Sequence, residues 1–310
     1  MSIFLLEENI LLITIYFMKN FSFKYAFVAL SFFAASFAFA QNPVKIVGSD
    51  IVGDKISKEI LAQSNLMGAK CVVEMNGSRD GLNDLKAGKA DIAIVAILDS
   101  DQFPDGLAAV PFAHQIASII VNSQNPIEEI TIPQLRQIFG STGEQTDTWS
   151  NLGLNNTISL RNIYALSTGF LDNIAVELFK SKCLDGENMS DSVDIKENLE
   201  QVVNVIKSTT NAIAIVNVAP NNPGIKALAV AQGGAKPHPF KPTSENIQNG
   251  DYPLALHFYL VFDKKNVKRL RPVLQMLLSD NIANGIDKGD LVSAPKNFRK
   301  SYSLELDISK

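Results

Sequence analysis

The chain has 310 residues, 46% hydrophobic and 19% charged, with a formal net charge of −4. That length suits two domains or one large one, and a core of that size does not need disulfide staples. The mild acidity shows no basic face, so nucleic acid is set aside as a partner.

Residues 1–40 stand apart as strongly apolar and aromatic. Met18 to Lys24 supplies a short positive region, Tyr25 to Phe37 an apolar run, and Ala38 to Ala40 a small-x-small cleavage site before Gln41. These are the three parts of a secretory signal peptide in order. They fit best with Met18 as the start, leaving residues 1–17 as an upstream extension. The rival is an uncleaved anchor, but the run after Lys24 is shorter than the roughly 20 residues a spanning helix needs. The expectation is a 1–40 signal peptide and an exported, periplasmic protein. Such a compartment permits a disulfide between Cys71 and Cys183, the only cysteines, and equally permits two buried thiols.

From residue 44 strands alternate with helices. Val44 to Val47 reads as a strand ending in Gly48, Ser49 and Asp50. Val52 to Gln63 has helical spacing, with Val52, Ile56, Ile60 and Leu61 on one face. Ala69 to Met75 is a strand, Asn76 to Gly81 a turn, Leu82 to Ala87 a short helix and Asp91 to Leu98 a near-continuous apolar strand. A long extended stretch follows, Leu107 to Asn122. Thr131 caps a helix with Pro133 in its first turn and Leu135, Ile138 and Phe139 inward. Trp149 to Gly153 is a turn, Ile158 to Arg161 a strand, and Leu166 to Gly169 a polar turn opening a helix to Lys182. Leu199 to Ser208 is helical. Ala212 to Val218 and Ile225 to Val230 are strands. Gln232 to Asn249 is a loop, Leu254 to Phe262 a strand, and Val267 to Asp280 a helix.

This alternation predicts right-handed crossovers and parallel sheets. The economical organisation is two α/β lobes joined by a two-crossing hinge. Residues 41–113 plus 252–310 form lobe 1, and 114–251 form lobe 2. Ligands of open α/β sheets sit at the carboxyl ends of strands, and two such ends facing each other make a closing cleft.

Three small polar turns follow strands and precede helices: Gly48 to Asp50, Gly77 to Gly81, and Leu166 to Gly169. Each offers hydroxyls and N–H groups at the positive end of a helix dipole. Singly they are ordinary N-caps. Together they suit a small oxyanion held by Ser49, Asp50, Gly77, Ser78, Arg79, Ser167, Thr168 and Gly169. The three histidines, His114, His238 and His257, lack metal-ligand spacing, so no metal or other cofactor is expected. His114 reads as a partly buried structural residue or one lining the cleft. No nucleophile elbow, P-loop or dinucleotide fingerprint occurs. Asp91 and Asp99 are about eight strand residues apart, over roughly 20 Å, too far for paired-carboxylate hydrolysis. The chain therefore reads as a binding protein and not an enzyme.

Several stretches resemble PstS-type phosphate-binding proteins, the periplasmic subunits of phosphate ABC importers. They are Pro111 to Pro126, Ile130 to Phe139, Trp149 to Leu152, Asn76 to Gly81 with Gly88 to Ile92, Ala212 to Val216, and Ile247 to Leu254. The likeness runs from about residue 44 to 280. It implies a two-lobed type II periplasmic binding protein fold, a phosphate-like ligand in the interlobe cleft, delivery to the importer's membrane subunits, and a monomer. The chain departs from the pattern at Asp50, where the family carries Ser or Thr, and at Ala96 and Ile97, where it carries a polar residue. The family's mid-chain loop is an Arg followed by Gly-Ser-Gly-Thr. Here Ile163 stands in the Arg position, and the run is Leu166, Ser167, Thr168, Gly169. These departures motivate an alternative, a binding fold with an altered site acting as a sensor or envelope interaction module.

Overall fold

The computed structural model describes residues 42–97, 104–152, 162–169, 174–219 and 221–308. The expected signal peptide, the strand over Ile158 to Arg161, and Asp99 lie outside them.

The first sheet has six strands. They are β1 (Val44–Gly48), β2 (Cys71–Glu74), β3 (Ile92–Ile97), β4 (Leu107–Ile116), β12 (Ala255–Asp263) and β13 (Val292–Ser293), in the order β13-β4-β12-β3-β1-β2. Its helices are α1 (Asp50–Leu66), α2 (Ser78–Lys86), α7 (Val267–Leu277), α8 (Asp280–Lys288) and α9 (Lys296–Ile308). Alternate β1 and β3 residues (Ile46, Ile92, Ile94) pack with Val52, Ile56 and Ile60 of α1 and Leu274 and Leu277 of α7. The opposite face packs Val47, Ala93, Val95 and Val261 against Leu85 of α2.

The second sheet comprises β5 (Ser118–Asn122), β7 (Tyr164–Thr168), β8 (Asp194–Lys196), β9 (Ala212–Val216) and β10 (Ile225–Ala227), in the order β10-β5-β9-β7-β8. Its helices are α3 (Ile132–Phe139), α4 (Ile174–Cys183), α5 (Leu199–Ser208) and α6 (Ser244–Gln248). The small strands β6 (Glu129–Thr131) and β11 (Ala229–Ala231) pair in parallel beside it. One face packs Ile119, Val121, Ile213 and Ile215 with Leu135, Phe139, Phe179 and Trp149. The other packs Ile120, Leu166, Ala214 and Val216 with Val202 and Ile206 of α5.

Both sheets are mixed, which corrects the expectation of parallel sheets. The pairs β1–β2, β1–β3, β7–β8 and β7–β9 are parallel. Strands that enter from the other lobe, β12 and β5, run antiparallel to their neighbours. The stretch Leu107 to Asn122 divides at Ala117, with β4 in the first sheet and β5 in the second. Ile225 to Val230 divides likewise into β10 and β11. The expected helix Val267 to Asp280 is α7, which stops at Leu277, and Ser279 then caps α8 through the Ile282 N–H at 3.4 Å.

The two crossings touch. The Ala117 N–H donates to the Leu254 carbonyl at 3.0 Å, and the buried Tyr252 hydroxyl donates to the Ala117 carbonyl at 2.8 Å. Cys71 and Cys183 are both free thiols, one in each sheet's territory, and Cys183 is fully buried.

Candidate oxyanion site

The carboxyl ends of β1 and β3 position the first-lobe candidates. Gly48 has φ +138°, which swings the chain off β1 into Ser49, the residue preceding α1. Ser49 is 2% exposed, and its hydroxyl makes no capping bond to its own helix. Its N–H is already used, donating to the Ile94 carbonyl at 2.7 Å. Asp50 is the exposed first residue of α1. The amides of Asp50, Ile51 and Val52 have no intrahelical acceptor, as in any first turn, so they are the donors this helix offers.

The second candidate segment is not a turn. Gly77 (φ +125°) precedes α2, and Ser78, Arg79, Asp80 and Gly81 are its first turn. The Gly77 N–H donates to the Gly48 carbonyl at 2.8 Å, so it too is spent on the fold. The Ser78 hydroxyl accepts the Ala96 N–H at 2.9 Å, tying α2 to the end of β3. Its own O–H proton stays available. Arg79 is exposed. A cavity of about 320 Å³ beside this segment is lined by Glu74, Asp80 and Asp84, so it repels anions.

The third candidate is also mostly strand. Leu166, Ser167 and Thr168 are in β7, paired with Asp194, Ile195 and Lys196 of β8. Ser167 is fully buried, its hydroxyl has no hydrogen-bond partner, and it lies at the carboxyl end of β7. A buried hydroxyl left unpaired costs about 1–3 kcal/mol. Thr168 and Gly169 are half-buried. The described part of α4 runs from Ile174, and the Gln115 amide donates to the Ile174 carbonyl. Ile174 also packs on the first-lobe core. Ile174 of α4 is thus held against β4 of the other sheet, beside the crossing. The structure therefore brings Ile174 of α4 against the first lobe, while Ser167 lies in the second sheet beside Ile195 and Ile215. Arg161, the last residue of the expected strand before this segment, lies outside the described residues.

Sequence reasoning missed the neighbours of this crossing. His114 and His257 face each other across β4 and β12 with their Nδ1 atoms 2.8 Å apart and rings at 82°. One ring donates and the other accepts, so the pair is built for neutral imidazoles. His114 is 2% exposed and its Nε2 has no partner. Ser118 Oγ and Asn217 Oδ1 are also buried without partners, at the start of β5 and just beyond β9. The clue available was proximity to the expected crossing.

Burial first, then the charge of His257, pushes the His114 pKa down from 6.5 to about 3. Below pH 6.5 the unfolded chain takes up a proton at this site that the folded chain refuses. Stability is therefore intact above pH 6.5 and is lost as pH falls toward 3. From pH 7 to pH 5 the expected loss is about 2 kcal/mol, from 1.36 kcal/mol per pH unit below 6.5. Urea unfolding of wild type and His114→Leu across that range isolates the contribution. Identical acid slopes in the two proteins would refute it.

The sequence profile of the PBP superfamily domain matches residues 34–281. The phosphate-binding protein PstS of Pseudomonas aeruginosa is 25% identical over 211 residues, 64% of this chain and 64% of that protein. Protein SphX of Synechococcus elongatus is 24% identical over 165 residues, 52% of this chain and 48% of that protein. The matches thus span less than two thirds of either relative. Among solved structures, a possible phosphate binding protein from Planctomyces limnophilus superposes with a TM-score of 0.65. It has 17% identity and covers 87% of this chain and 99% of that one. PstS from Borrelia burgdorferi superposes at 0.62, with 17% identity, covering 82% and 99%. Two mixed sheets joined by paired crossings, a matching profile over most of the chain and these superpositions agree: the chain belongs to the PBP superfamily and has its two-lobed periplasmic-binding-protein fold.

Proposed function

We propose that the protein binds phosphate or a related small oxyanion between its lobes, outside the cytoplasmic membrane, and delivers it to an ABC importer. The observation that carries the reading is Ser167, a fully buried hydroxyl without a partner at the carboxyl end of β7. An anion at a helix start would supply the missing acceptor and gain from the dipole. Ser49 and the first-turn amides of α1 and α2 are the proposed donors of the other lobe, with Ser78, Arg79, Thr168 and Gly169 around them. Asp50 fits only a protonated oxyanion, whose O–H its carboxylate would accept. The likeness to phosphate-binding PstS supports phosphate as the first ligand to try. The protein works by binding and release, as a monomer, and makes no bond in its ligand. No helix among the described residues is long and apolar enough to cross a membrane.

Calorimetric titration with phosphate, sulfate, molybdate and tungstate tests the reading. Heat of binding with phosphate is expected, and silence with all four would end it. Ser167→Ala is expected to weaken phosphate binding by about 1 kcal/mol or more, the size of a lost hydrogen bond to an anion. An unchanged affinity would remove Ser167 from the site.

A further inference from the structure

We propose that Lys196 supplies the positive charge of the oxyanion site, swinging from Asp194 to the ligand. The proposal rests on the oxyanion reading above and adds a residue to that site. The resemblance leaves a gap there, since Ile163 stands where a cation is expected. A multiply charged anion held by neutral groups alone lacks the stronger, charge-assisted bonds.

Register places the lysine. Strand β8 runs parallel to β7, with Lys196 directly beside Thr168 and one step from Gly169. A methyl group projected from Gly169 would lie 4.0 Å from the Lys196 carbonyl, so the two backbones are neighbours at this strand end. A lysine side chain spans several ångströms on a flexible stem and carries a compact point charge. It can therefore reach an anion over the carboxyl end of β7.

Its present partner is easily given up. Lys196 Nζ lies 2.6 Å from Asp194 Oδ2, and the two side chains are 24% and 33% exposed. The pair is partly exposed, so water takes up part of the cost of separating it. The Tyr164 hydroxyl donates to the same Asp194 oxygen. When the lysine leaves, the aspartate keeps a donor, and no charge is stranded in the core. The trio is consistent with this: Lys196 first and Tyr164 second hold the Asp194 carboxyl below its usual range. Arg79, the cation of the other lobe's candidate segment, is exposed on α2.

Titration of the purified protein with inorganic phosphate at two salt concentrations tests the assignment. Lys196→Met is expected to bind about tenfold more weakly and with a shallower salt dependence, while Lys196→Arg stays within about threefold of wild type. Asp194→Asn frees the lysine and is expected to tighten binding about threefold. A mere structural brace would instead weaken binding with either partner removed. Equal losses in Lys196→Met and Asp194→Asn, or a Lys196→Met affinity within about twofold of wild type, would overturn the proposal while leaving the oxyanion reading intact. No phosphate binding by wild type would overturn both. Because the two variants are predicted to move in opposite directions, a folding defect in one does not hide the result.

Discussion

Gly48→Ala is expected to abolish accumulation of folded protein, with a cost above about 4 kcal/mol, the range reserved for mutations that break the fold. A Cβ at this position would sit 1.9 Å from the Ile94 carbonyl oxygen and 2.7 Å from its carbon and nitrogen. Those are backbone atoms in the middle of β3, so nothing can rotate away. The strand itself would have to move, and Ser49 with its bond to Ile94 would move with it. Gly77→Ala is the control. Its φ of +125° is as unsuited to a side chain, but a Cβ there meets nothing within 4 Å. It should cost about 1–3 kcal/mol, the price of backbone strain alone. Urea midpoints of the two variants separate collision from conformation. A Gly48→Ala midpoint close to that of Gly77→Ala would show that β3 yields.

Trp149→Ala is expected to cost about 3–5 kcal/mol, as for other large aromatic truncations in a core. The residue is the chain's single tryptophan, it is fully buried, and its indole N–H points at the Asn211 carbonyl at 3.4 Å. It sits in the short 3-10 helix Trp149–Leu152 and packs into the second-lobe core with Leu135, Phe139 and Phe179. Denaturant unfolding followed by far-ultraviolet circular dichroism measures the loss. A shift below about 1 kcal/mol would mean the second-lobe core closes over the gap, contrary to its close packing.

Much of the architecture could be read from periodicity. The helix of Val52, Ile56 and Ile60 and the apolar strands over Ile92 to Ile97 and Ala212 to Val216 lie where hydrophobic spacing puts them. Long-range pairing could not be read. Nothing in the apolar run Leu107 to Asn122 marks Ala117 as the point where the chain changes sheets, because the residues on both sides of it, Phe112 to Ile116 and Ser118 to Asn122, are all buried. The His114–His257 pair depends on an antiparallel register with a bulge between Phe258 and Tyr259, a relation between residues 143 apart. Leu166 to Gly169 looked like a turn because Ser, Thr and Gly favour turns. Pairing with β8 draws its first three residues into the sheet. Strand β8 itself is three residues with charged ends, too short to show a period, so Lys196 had no visible role. At the candidate site, what each group is bonded to was not legible. Ser49 and Gly77 turned out to have spent their amides on the fold. The burial of Ser167 without a partner became apparent only in three dimensions.

The bonds among Ala117, Leu254 and Tyr252 have a consequence for how the lobes could move. Two independent connectors would let the lobes slide, twist and bend separately. Here the connectors are stitched side by side, so a torsion in one is imposed on the other. Such a joint would leave the lobes like two covers on one spine, with a single opening angle as the soft coordinate. Loosening the stitch with Tyr252→Phe would add directions of motion without touching any proposed ligand contact, turning a gate into a universal joint.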